Sequence, residues 1–160
     1  MSIPPVTQSD SLAITLFSEI LMVDQLARSA VAKALPKGME LSHFSVLNHL
    51  ARTAGERTPA QLAKTFHLTR GAMTNTLGKL EWAGWVHIRP DWDDARRKLV
   101  SISATGLVAR DAAVAVITPL IADVVDQVGA DRVRAALPVL RELRIKLAGE
   151  QDGQIAHPTV

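Results

Sequence analysis

Thr58-Pro59-Ala60-Gln61-Leu62-Ala63-Lys64-Thr65-Phe66-His67-Leu68-Thr69-Arg70-Gly71-Ala72-Met73-Thr74-Asn75-Thr76-Leu77-Gly78-Lys79-Leu80 holds two helix starts in close succession. Thr58 suits an N-cap, Pro59 the first helical position, and Gln61 closes a capping box. The helix that follows is short, about 59–66, because His67-Leu68 breaks it and Thr69 caps a second one. That second helix runs over about 70–83 and stops at Gly84, a natural left-handed C-terminal residue. Leu62, Phe66 and Leu68 with Met73, Leu77 and Leu80 form one apolar wedge, and Ala63 is small where the two helices must cross closely.

The segment after Gly84 changes period from 3.6 to two. Trp85-Val86-His87-Ile88-Arg89 alternates, 90–95 supplies turn residues, and Lys98-Leu99-Val100-Ser101-Ile102-Ser103 alternates again, so a small hairpin with a charged tip is expected. Short helix, turn, second helix and basic hairpin make a winged helix-turn-helix. Before it, 42–52 reads as a helix with Phe44, Leu47, Leu50 and Ala51 inward, and 53–57 as a turn. Residues 10–35 read as one long helix, with Leu12, Leu16, Ile20, Val23, Ala27, Ala30 and Ala34 at three- and four-residue steps and Phe17, Leu21, Leu26 and Val31 widening the stripe. Such a helix is about 39 Å long, more than one small lobe can cover. Beyond the hairpin, 105–128 reads as a helix that Pro119 should kink or split, and 130–150 as a last helix despite Pro138. The fold class is therefore mainly α with a small β-hairpin. The expected organisation is an N-terminal dimerisation helix (1–35), a winged helix-turn-helix DNA-binding domain (36–104), C-terminal dimerisation helices (105–150) and a flexible tail (151–160).

Composition narrows the function classes. The chain has 160 residues, 48% hydrophobic and 21% charged, a balance that folds. Aromatics are 4% and tyrosine is absent, so the cores are built from Leu, Val, Ile and Ala, as in helical proteins. Absence of cysteine excludes disulfides, thiolate zinc sites, iron–sulfur clusters and cysteine-based redox sensing. No apolar run reaches the ~18 residues of a membrane span, and Met1–Pro5 lacks the pattern of a signal peptide; a cytoplasmic protein without a membrane partner is expected. The net charge is only +2, but eight Lys/Arg face four acids between Arg57 and Lys98. An anionic partner is expected at this middle segment. No phosphate-cradling glycine loop, nucleophile elbow or acid pair is present, so an enzyme is not expected. His43 and His49 lie six apart and cannot chelate together; no metal and no cofactor are expected, and His43 reads as a helix-surface histidine rather than the wall of an effector pocket. Trp82 and Trp85 are expected to pack at the helix–strand junction, with no preference evident for Trp92.

The polar face of the second helix of the motif carries the chemistry. The major groove is about 12 Å wide and accepts one α-helix, which leads with its N-terminal residues. Arg70 suits a bidentate pair with guanine and Asn75 with adenine, Thr69 and Thr74 suit phosphate or thymine-methyl contacts, and Lys79 extends the face. At the hairpin tip, Asp94, Arg96, Arg97 and Lys98 sit where the ribbon reaches along the duplex, and arginine suits the narrow minor groove. The acids Asp91, Asp93 and Asp94 fit DNA contact only if one pairs internally and stiffens the tip.

The string Leu62-Ala63 … Leu68-Thr69-Arg70-Gly71-Ala72-Met73-Thr74 … Leu80-Glu81 … Gly84-Trp85-Val86, with Asp94-Ala95-Arg96 … Leu99-Val100-Ser101-Ile102-Ser103-Ala104-Thr105-Gly106, resembles the MarR family of bacterial transcriptional regulators over about residues 10–148. The resemblance implies a homodimer interlocked through its first and last helices, bound to a palindromic operator in double-stranded DNA. It further implies an Asp94–Arg96 pair in the wing, and release by a small, commonly phenolic, anion as effector; no residue is assigned to that effector. Family members often act as repressors. The chain departs from the pattern at Ala95, where a basic residue is usual, and at His67, where glycine is usual and a left-handed backbone costs more. The other functional classes that the residues leave open are a winged-helix protein–protein interaction module without DNA binding, and a small-molecule-binding dimer with no regulatory role.

Overall fold

A computed structural model of the chain describes residues 8–53 and 55–154. Among the described residues six helices and two strands follow one another: α1 (Gln8–Ala34), α2 (Leu41–Arg52), α3 (Pro59–Thr65), α4 (Arg70–Trp82), β1 (Val86–Pro90), β2 (Lys98–Ile102), α5 (Ala104–Val128) and α6 (Ala130–Gln154). The chain divides into two compact units, Met1–Ile117 and Thr118–Val160, with the division inside α5.

In the first unit the starts and stops of the short helices follow local chemistry. Thr58 and Gln61 form the reciprocal box: the Thr58 N–H donates to Gln61 Oε1 at 2.8 Å and the Gln61 N–H to Thr58 Oγ1 at 3.1 Å. Helix α3 ends where His67 takes φ 51°, and the Leu68 N–H returns to the Ala63 carbonyl at 2.9 Å. Thr69 then caps α4 by accepting from the Ala72 N–H at 3.2 Å. Gly84 at φ +73° turns the chain from α4 into the hairpin. Helix α2 begins at Glu40, whose N–H donates to Nδ1 of His43 at 3.1 Å.

The core gathers Val46, Leu47 and Leu50 of α2, Leu62 and Ala63 of α3, Met73, Leu77 and Leu80 of α4, Val86 and Val100 of the hairpin, and Ala113 and Ile117 of α5. Leu47, Leu62 and Leu80 are fully buried, each stabilising the fold by roughly 1.5–3 kcal/mol relative to an exposed position. Leu68, expected in this wedge, is 43% exposed; the tight turn at His67 carries it to the rim, where Phe66 packs in its place.

Strands β1 and β2 pair antiparallel in the register Val86↔Ile102 to Pro90↔Lys98. Arg57, in the expected turn, adds a bridge to Val100: its N–H donates to the Val100 carbonyl at 3.0 Å and its carbonyl accepts from the Val100 N–H at 2.8 Å. The root of the hairpin is fastened by one carbonyl. Gly84 O accepts from both Ser103 Oγ and Thr105 Oγ1 at 2.6 Å, while Ser103 Oγ also accepts from the Gly106 N–H at 2.9 Å. Gly106 lies so close to this junction that a Cβ there would stand 2.0 Å from the Trp85 carbonyl oxygen.

Helix α5 runs unbroken through Pro119, so the expected split does not occur. In the second unit the rest of α5 is followed by Gly129 and then by α6, which passes Pro138 and reaches Gln154. Residues 151–154, expected to begin a flexible tail, are thus helical, because the helix is not stopped at Gly149; the rest of that tail, 155–160, lies outside the described residues. Among the described residues no helix is long and apolar enough to cross a membrane.

Candidate nucleic-acid interface

Helix α4 has two chemically distinct sides. Met73, Thr76, Leu77 and Leu80 are buried, and the Thr76 hydroxyl is satisfied by donating to the Ala72 carbonyl at 3.1 Å. The other side leaves Arg70, Gly71, Thr74, Asn75, Gly78 and Lys79 exposed. Thr69, the cap, is exposed as well, and its hydroxyl is engaged by the Ala72 N–H that starts the helix.

The wing reaches toward the same side. Arg96, Arg97 and Lys98 join Arg70 and Thr74 of α4 and Thr58-Pro59-Ala60 at the start of α3 around one cleft of about 510 Å³. Among the described residues Arg70, Arg96 and Lys98 enter no ion pair, so their charge is available to an anion.

Two of the three acids of the wing tip are used in folding it. Asp94 Oδ1 accepts from the backbone N–H of Arg96 at 3.0 Å, and the Asp94 carbonyl accepts from the Arg97 N–H at 2.8 Å. Asp91 Oδ1 accepts from the Asp93 N–H at 3.1 Å, and its other oxygen stands 3.8 Å from Arg97 Nε. The ion pair of the tip is therefore Asp91–Arg97, in place of the expected Asp94–Arg96. Asp94 makes a turn of the Asx type, which holds the following arginines on the outer side of the ribbon.

Two long-range ion pairs brace α4 and the hairpin. Lys79 Nζ donates to Glu40 Oε1 at 2.8 Å, tying α4 to the start of α2; this hydrogen bond, with the charges of His43 and Lys79, holds the Glu40 carboxyl below its usual pKa. Arg89 on β1 meets Glu56 with two bonds, Nε to Oε1 at 2.8 Å and a terminal nitrogen to Oε2 at 2.5 Å, and its guanidinium lies 5.6 Å from the centre of the Trp92 ring. Neither pair was readable in the sequence, since the partners are 39 and 33 residues apart.

Two side chains depart from expectation. Trp82 is 92% exposed and does not pack at the helix–strand junction. It occupies the outer side of the last turn of α4, while Trp85, one residue beyond Gly84, turns in against the core. His43 is 5% exposed, not a surface histidine. Its ring meets Trp85 edge-on at 6.2 Å between centroids, and burial pushes its pKa below the ordinary histidine value. Trp92 is 82% exposed. Among the described residues no cluster of three His, Asp or Glu side chains could hold a metal.

The MarR family model matches residues 37–97, the span from the α1–α2 connection to the tip of the wing. No curated protein matched the chain. Among solved structures, a MarR variant from E. coli in complex with operator DNA is 26% identical, with TM-score 0.74 over 86% of this chain and 99% of that one. The apo form of wild-type MarR from E. coli is 27% identical, with TM-score 0.69 over 80% of this chain and 96% of that one. The transcriptional regulator BldR from Sulfolobus solfataricus shares the fold at 23% identity, with TM-score 0.77 over 88% and 99% of the two chains. The capped α3–α4 pair, the braced wing and these similarities converge on one likeness: residues 37–97 match the MarR family, and the fold is similar to that of the winged-helix MarR transcriptional regulators.

Proposed function

We propose that the chain is a sequence-specific double-stranded-DNA-binding regulator that acts as a homodimer on a palindromic operator, represses transcription in the cytoplasm, and leaves DNA when a small effector binds. The observation that carries this reading is the exposure of Arg70, Thr74 and Asn75 on α4, with Arg70 and Thr74 sharing one cleft with the cations Arg96, Arg97 and Lys98. Helix α4 enters the major groove with Arg70 and Asn75 on base edges and Thr69 and Thr74 on phosphate or thymine methyl. The wing sets Arg96 and Arg97 along the minor groove and Lys98 on the backbone. Asp94 shapes the tip. Lys79, held by Glu40, lies at the far end of the face and reads no base.

Homodimerisation follows from α1, where Leu12, Ile14, Leu21, Met22, Val23 and Leu26 are all exposed. Apolar side chains continuous over several turns require a cover, and a two-fold copy supplies it and sets the half-sites about 34 Å apart. Residues 1–35 and 105–150 serve as the dimerisation helices and 36–104 as the DNA-binding domain.

The test is binding to the duplex upstream of the chain's own coding sequence at several salt concentrations. Affinity falls steeply with salt as phosphate contacts release counterions. Replacing Asn75 with Ala relaxes sequence preference, whereas replacing Lys98 with Ala weakens all sequences alike. Unchanged discrimination after loss of both Arg70 and Asn75 overturns the assignment of α4.

A further inference from the structure

The wing carries one side chain at its apex that phosphate contacts and base-edge hydrogen bonds do not use. The last rung of the hairpin is Pro90↔Lys98, and one further bond, from the Asp91 N–H to the Arg97 carbonyl at 3.0 Å, closes the ribbon. Trp92 and Arg96 follow this closing bond on opposite sides of a ribbon about 5 Å wide. The Trp92 ring is 82% exposed. Exposure of a single apolar residue is ordinary; the way this ring is held is not.

Its backbone is fixed first. The Asp93 N–H donates to Asp91 Oδ1 at 3.1 Å, an Asx turn that spans Trp92. The ring is also backed. The Arg89 guanidinium lies 5.6 Å from its centre, and all three nitrogens of that guanidinium are engaged. Nε and one terminal nitrogen donate to Glu56 at 2.8 and 2.5 Å, and the other terminal nitrogen donates to the Pro90 carbonyl at 3.0 Å. Glu56 adjoins Arg57, whose backbone is bonded to Val100 of β2. The ring therefore rests on a plate tied to the sheet and not on a mobile side chain.

The surrounding acids are answered from within. Hydrogen bonding to Glu56, then the charges of Glu56, Asp91 and Asp93, hold Arg89 above its ordinary pKa against the opposing effect of burial. Asp91 also stands near Arg97, and Asp94 accepts from the Arg96 N–H. Among the described residues Arg96 and Lys98 enter no ion pair. An open aromatic edge thus stands across the ribbon from an uncompensated arginine.

We propose that Trp92 is a minor-groove wedge: with Arg96 laid along the groove, the indole edge enters between two adjacent base pairs and partly unstacks them, while Arg89 keeps the ring from swinging back. Apolar side chains presented to the minor groove open base steps in this way. Pyrimidine–purine steps, which deform most easily, are favoured beneath the ring. This rests on the DNA-binding reading above and adds to it a residue that selects sequence by the stiffness of the duplex, not by its hydrogen-bonding edges.

The test uses the full chain and the duplex upstream of its own coding sequence, with 2-aminopurine placed at each adenine in turn. Trp92→Ala is expected to weaken binding at least tenfold and Trp92→Phe less than threefold, with the melting temperature of the free chain held within about 2 °C. The slope of log affinity against log salt stays at the wild-type value in Trp92→Ala, whereas Lys98→Ala lowers it by about one. At one or more positions 2-aminopurine brightens on binding of the wild type, as an unstacked base does, and stays dark with Trp92→Ala. Equal loss in Trp92→Phe, a salt slope lowered in Trp92→Ala, or no brightening at any position overturns the wedge. A wild-type chain that binds no duplex overturns the DNA-binding reading and the wedge with it. A wild-type chain that binds while Trp92→Ala binds equally overturns the wedge alone and leaves the ring to a protein partner.

Discussion

Helices α1 and α4 both turn a long face to solvent, and the two faces are chemical opposites. Along α4 the exposed groups are Arg70, Thr74, Asn75 and Lys79, with glycines at 71 and 78 keeping the surface slim. Along α1 they are Leu12, Ile14, Phe17, Leu21, Met22 and Leu26. A polar face is stable in water and gains a partner only through specific hydrogen bonds and charge; an apolar face is driven to any surface that excludes water. The first is suited to reversible reading, the second to permanent association. The chain thus carries a polar face suited to reversible contact and an apolar face that needs a lasting cover.

The comparison breaks first at α1. Replacing Leu21 and Leu26 together with Glu is expected to convert the chain to a monomer in sedimentation, and DNA affinity then falls about a hundredfold or more, since the second half-site no longer binds as part of one molecule. A wild-type chain that sediments as a monomer would remove the distinction altogether. Next comes the inner side of α4. Leu80→Ala should lower stability by about 2–5 kcal/mol in denaturant unfolding, while Trp82→Ala, two residues on, should stay within about 0.5 kcal/mol. Similar losses for both would mean that Trp82 is covered in the folded protein. Smaller again is the cap: Thr69→Ala should cost about 1 kcal/mol and weaken binding to all DNA sequences, because a loosened helix start misplaces every contact that α4 makes.

The smallest effect is in the pH profile. His43 is depressed by burial, with the Glu40 carboxylate opposing and the Lys79 ammonium adding to the shift, so the unfolded chain takes up its proton before the folded one does. Its contribution is complete above about pH 6.5 and is lost as the pH falls through the lower folded-state value. Glu40 acts in the same sense further down, because its pairing with Lys79 is present above the ordinary carboxylate range and lost below it. The melting temperature should therefore fall between pH 7.5 and 5.5, and His43→Leu should flatten that interval. A wild-type melting temperature constant across it contradicts the burial of His43.

These contrasts also mark what a linear reading could reach. The α3–α4 pair was legible because its determinants are local: Thr58 with Gln61, Thr69 with Ala72, and Gly84 at a positive φ lie within a turn of the backbone they control. The polar side of α4 was legible by period. Trp82 was misplaced because size and apolarity alone favour burial, and nothing in its neighbours reveals that the last turn of α4 leaves the core. His43 was misplaced for the converse reason, since a polar ring was read as surface although its bond to the Glu40 N–H and its contact with Trp85 draw it inward. Pro119 is expected to kink or split α5, and the helix is not split, because a proline removes one hydrogen bond and the neighbouring turns are long enough to carry the helix past it. The braces Glu40–Lys79 and Glu56–Arg89 join segments that only the folded chain brings together.

The Gly84 carbonyl, where Ser103 and Thr105 converge, has a mechanical consequence. It couples the exit of α4, the return strand of the wing and the first turn of α5 at a single atom, with Gly106 leaving no slack behind it. A twist of the opening turns of α5 is therefore expected to turn α4 and the wing as a pair, like two blades fixed to one hub.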